Sequence, residues 1–67
     1  METGTVIEFD ATRGLGIVEH ADGRRFRFHC TQIADGTRTI PVGATVTFDL
    51  APGPLGEWEA STVVCAS

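Results

Sequence analysis

The stretch RGLGIVEHADGRRFRFHC, residues 13–30, decides the fold. It holds two short β-rich runs, LGIVEH and RRFRFHC, joined by ADG. Asp22-Gly23 is a pair that accepts the positive φ angles of a tight hairpin turn. The second run alternates cleanly. Because successive strand residues point to opposite faces, Phe26 and Phe28 are expected inside and Arg25, Arg27 and His29 outside. The unit is a hairpin with one apolar face, which has to find more sheet to cover it.

The flanking sequence supplies that sheet. TGTVIEF (3–9) precedes the hairpin through the turn-like DATRG (10–14), and the connection TQIADGTRTIPVG (31–43) follows it, with Ile33 predicted to plug one end of the core. ATVTFDL (44–50) alternates again, placing Val46, Phe48 and Leu50 inward and Thr45, Thr47 and Asp49 outward. After the loop APGPLG (51–56), EWEASTVV (57–64) completes the set. No segment keeps an apolar 3.6-residue period over ten residues, so no α-helix is predicted. Five strands in 67 residues, a meander of three and then a long crossing, predict one all-β domain over residues 1–67. Its architecture is a five-stranded antiparallel Greek-key barrel.

Composition narrows the function. The chain is 42% hydrophobic with a formal net charge of -4, which suits a packed soluble fold. No apolar run approaches the ~18 residues of a membrane span, and METGTV lacks the basic and apolar regions of a signal peptide, so a cytoplasmic address and no membrane contact are expected. All five basic residues are Arg, which fork onto phosphates and stack on flat rings. The acidic total argues against strong non-specific duplex binding, which depends on neutralising many phosphates. Cys30 and Cys65 are expected as free thiols. His20, His29, Cys30 and Cys65 form no metal-ligand spacing, and no nucleophile or phosphate-loop pattern is present. No metal, no cofactor and no enzymatic activity are expected.

Five fragments in order resemble the bacterial cold-shock protein family across nearly the whole chain. TGTVIEFD is similar to that family's T-G-x-V-K-W-F-N, RGLGIV to K-G-F-G-F-I, and FRFHCTQI to V-F-V-H-F-S-A-I. PVGATVTFDL is similar to E-G-x-x-V-x-F-x-V, and the late Gly with EASTVV to G-x-x-A-x-x-V. The resemblance implies an OB-fold barrel and binding of single-stranded RNA or DNA, with aromatic rings on the second and third strands stacking on successive bases.

Most of those rings are missing. Glu8 stands where the family has Trp, Leu15, Ile17 and Arg27 where it has Phe, and Cys30 replaces a further Phe. Ile7 replaces a Lys, and Thr37 sits about where another aromatic belongs. Arg13, Gly14, Gly16, His29 and Phe9 keep the pattern, and the two glycines are accounted for by a strand bending at a barrel corner. With a stack worth ~1–3 kcal/mol per base, binding is expected to be weak. It would rest on Arg13, Arg25, Arg27 and His29, with Phe9 or Trp58 supplying what stacking remains. Alternation with Ala60 points Trp58 inward; a register flip in the preceding loop would turn it out as a relocated platform. The rival expectation is a protein-contact face, for a second copy or a foreign partner. There Ile7, Leu15 and Ile17 form an apolar strip oriented by Glu8 and Arg27, unless a bulge turns some of them inward.

Overall fold

A computed structural model describes residues 1–34, 39–53 and 56–65. Thr37 and Arg38 lie outside the described residues. Five strands, β1 (Glu2–Asp10), β2 (Leu15–His20), β3 (Arg25–His29), β4 (Thr45–Pro52) and β5 (Trp58–Cys65), close into a barrel in the order β1-β2-β3-β5-β4. The four pairs β1–β2, β2–β3, β1–β4 and β4–β5 are antiparallel. The closing pair is parallel, at Arg27↔Glu59. This modifies the all-antiparallel expectation: the chain reverses direction twice, into β4 and again into β5, so β5 lies beside β3 and runs the same way.

Turn chemistry sets the registers. Between β2 and β3 the His20 amide donates to the Arg24 carbonyl at 2.7 Å, and Gly23 takes φ +93°. This three-residue loop with glycine at its positive-φ position fixes Val18 opposite Phe26 and Glu19 opposite Arg25. Asp22 finishes the turn, accepting the Arg24 amide at 2.9 Å and the Arg24 side chain at 2.7 Å. These bonds, the backbone one foremost, hold the Asp22 carboxyl below its ordinary pKa. Between β1 and β2, Asp10 accepts the Thr12 and Arg13 amides at 3.0 and 3.2 Å.

The barrel interior holds Val6, Val18, Phe26, Phe28, Ile33, Ile40, Val46, Phe48, Ala60 and Val63. Ile33 sits at the end of a 3₁₀ turn (Cys30–Gln32) and bridges Val63, as a plug would. Gly16 is required by space. A Cβ there would stand 2.7 Å from a Phe28 ring atom and 3.0 Å from Phe9, whose rings stack with centroids 6.1 Å apart.

Two irregularities bend the sheet. In β1 the register shifts between Val6 and Glu8, which makes Ile7 the bulged residue. In β4–β5 it shifts between Thr47 and Asp49, and there Thr62 adopts φ +48°, an uncommon conformation for a β-branched side chain. β4 also runs two residues further than the alternation predicted: Ala51 and Pro52 pair with Glu59 and Trp58 instead of opening the loop. Pro52 is tolerated as the last residue of its strand.

Candidate nucleic-acid interface

The outer face of β1, β2 and β3 is built of rows. Glu8, Ile17 and Arg27 are cross-strand neighbours in one, Asp10, Leu15 and His29 in the next. Each row reads acid, aliphatic, base. The Arg25, Arg27 and His29 side chains lie on the exposed side of β3, and Phe26 and Phe28 on the buried side. Leu15 is 38% exposed and Ile17 half-buried. A shallow depression beside this face is lined by Glu8, Arg13, Leu15, Ile17 and Arg27, so five of the predicted site residues meet in one place.

Ile7 is not among them. The bulge leaves it half-buried and outside both rows, which shortens the expected apolar strip to Leu15 and Ile17. Phe9 is also half-buried, its ring packed on Phe28, so it supports the floor of the face instead of offering a flat surface.

Trp58 corrects the inward expectation. It is 60% exposed although Ala60, of the same parity, is buried. The reason is position: Trp58 is the first residue of β5, paired with the last residue of β4, where the barrel wall has run out of interior to cover it. Trp58 lines a second depression with Ile17, Arg25, Arg27 and Glu57, and Ile17 and Arg27 line the first as well. The face therefore carries one exposed large ring, and it comes from β5.

Sequence reading missed the counter-ions. All four described arginines meet a carboxylate: Arg13–Asp10 at 3.8 Å, Arg24–Asp22 at 2.7 Å, Arg25–Glu19 at 3.2 Å and Arg27–Glu57 at 3.5 Å. The hairpin register contains the Glu19–Arg25 signal, since both side chains fall on one side of directly opposed positions. Arg27–Glu57 carries no such local cue, because it forms only on closure between β3 and the approach to β5. The Glu8 carboxylate has no ion-pair or hydrogen-bond partner among the described residues and stands exposed beside Ile17. The exposed His29 ring holds its Nδ1 3.3 Å from the Thr31 amide, which donates to it, and 3.0 Å from the Thr31 hydroxyl.

Exposed pairs of this kind contribute ~0–1 kcal/mol each, so a phosphate can take a guanidinium from its carboxylate at small cost. The face can thus bind anions weakly and stack one ring. It lacks the excess positive charge that steers polyanions.

Comparison with known proteins assigns the chain by its sequence. The cold-shock DNA-binding domain model covers residues 2–65. The chain belongs to that family. Among curated members, the cold shock-like protein CspD of Vibrio cholerae is 39% identical over 66 residues, 96% of this chain and 86% of its own. The cold shock protein CspC of Bacillus subtilis is 36% identical over 62 residues, 91% and 94% of the two chains. As a cold-shock domain it has the OB fold, and it is a member whose β2–β3 face carries aliphatic and charged side chains where the family pattern has rings. Among the described residues no helix is long and apolar enough to cross a membrane, and no His, Cys, Asp and Glu group could hold a metal ion.

Proposed function

We propose that this cold-shock domain binds single-stranded RNA or DNA weakly, through a site shifted from the centre of the β2–β3 face toward β5. The observation that carries the reading is Trp58, an exposed indole placed beside Arg25 and Arg27 on a surface otherwise short of rings. One base stacks on Trp58 while Arg27 and Arg25 exchange Glu57 and Glu19 for phosphates, and the exposed His29 ring adds a contact. Arg13 reaches the far side of the face from the β1–β2 turn, as an outer phosphate contact.

With a single ring in place of several, affinity falls in the micromolar range or poorer and is lost as salt rises. Calorimetric titration of Trp58→Ala and Arg27→Ala with an oligothymidylate and an oligoribonucleotide at low salt tests the site. Each variant is expected to lose at least tenfold in affinity while keeping the parent's circular dichroism. Two folded variants that bind as the parent does would move the site elsewhere.

A further inference from the structure

We infer that the β1–β2–β3 face docks on a second copy of this chain, and that the dimer withdraws Ile17 and Arg27 from the nucleic-acid strand. The basis is the order of side chains across the two rows. Glu8–Ile17–Arg27 and Asp10–Leu15–His29 both place an acid on β1, an aliphatic on β2 and a base on β3.

Consider a two-fold axis lying in the plane of the face and running along β2. It sets the partner's β3 over β1 and the partner's β1 over β3, and keeps each row opposite itself. Glu8 then meets the partner's Arg27 and Asp10 meets the partner's His29, each contact occurring twice, while Ile17 and Leu15 meet their own copies on the axis. The patch is complementary to itself, which is what an isologous contact requires. A two-fold axis across the strands would instead set β1 on β1, acid on acid, and is disfavoured.

The charges of the face agree with that occupant. The Glu8 carboxylate has no partner within the described residues, and Arg27 and Arg13 hold their carboxylates only at 3.5 and 3.8 Å. His29 is exposed on β3 and pairs with no carboxylate among the described residues. A polyanion would satisfy only the basic side of each row and leave Glu8 and Asp10 repelled; a second copy satisfies both sides.

Six residues a side is well below the roughly 20–30 of a standard interface, and two convex barrels touch only near the centre of the face. The dimer is therefore weak and populated by concentration. The competition with a strand rests on the nucleic-acid reading above; the dimer itself does not.

Sedimentation equilibrium of the full chain from micromolar to millimolar concentration is the test. The parent's mass is expected to rise toward that of a dimer. Glu8→Arg and Arg27→Glu, each placing like charges opposite one another, should each weaken association at least tenfold. The double variant Glu8→Arg/Arg27→Glu should recover it, a rescue that loss of fold cannot imitate. Trp58→Ala lies outside the rows and should dimerise as the parent does. A parent that stays monomeric to millimolar concentration, or a double variant that remains monomeric, overturns the inference. Dimerisation without oligonucleotide binding supports the dimer and removes the strand-binding reading; oligonucleotide binding by a strict monomer does the reverse.

Discussion

Rebuilding the missing rings measures how far this barrel still presents its family's surface. The perturbation is Glu8→Trp with Leu15→Phe and Ile17→Phe. Glu8 is directly opposite Ile17, and Leu15 lies two residues along β2 on the same outward face, so the three new rings would form one continuous platform. The positions are exposed or half-buried, and enlarging them does not crowd the core. Each stacked base is worth ~1–3 kcal/mol, and neighbouring stacks do not add in full. Counting about 1 kcal/mol for each of three rings gives about 3 kcal/mol, slightly more than a hundredfold in affinity. Loss of the unpaired Glu8 carboxylate acts in the same direction by removing a repulsion from the phosphate backbone. The assay is isothermal calorimetry with a short oligothymidylate at low salt, on a variant whose circular dichroism matches the parent. A folded triple variant with no gain would refute the reasoning, because β1 and β2 would then no longer form a surface that a strand can reach.

Two further outcomes test the fold. Phe28 is 1% exposed, stacks on Phe9 and lies against Gly16, so Phe28→Ala should cost ~3–5 kcal/mol. That is most of the stability of so small a domain; urea unfolding should find it largely unfolded at room temperature, and an unchanged midpoint would contradict the core described here. Thr62 at φ +48° stores backbone strain of about 1 kcal/mol or more, so Thr62→Asn should raise the melting temperature, and a lowered one would show that the conformation is not strained.

The core was legible in the sequence because alternation and turn chemistry agree. Phe26, Phe28, Val46 and Phe48 are inside because each sits at every second position of a run bounded by turn residues. The Asp22-Gly23 turn fixed the hairpin register, and with it the stripe of Arg25, Arg27 and His29. What period-two reading could not supply was anything set by irregular backbone or by closure. Ile7 left the apolar strip through a bulge, which inserts a residue without a sequence mark. Trp58 kept the parity of Ala60 yet came out into solvent, because parity says which way a side chain points and not whether any interior remains there. Ile40 joined the core from the long connection, where no periodicity announces it. The Arg27–Glu57 pair needed β5 to arrive beside β3, a tertiary event.

The proposed site stacks a strand on Trp58 and holds it there with arginines. Trp58 is the chain's only tryptophan, so its fluorescence reports that site without a label. The deciding measurement is a titration of the parent, at a concentration low enough to keep it monomeric, with oligothymidylate and oligoribonucleotide over a range of salt. Saturable quenching in the micromolar range or weaker is expected at low salt, fading steeply as salt is raised. Emission that stays constant while calorimetry detects binding, or nanomolar binding that persists at physiological salt, would rule out this site.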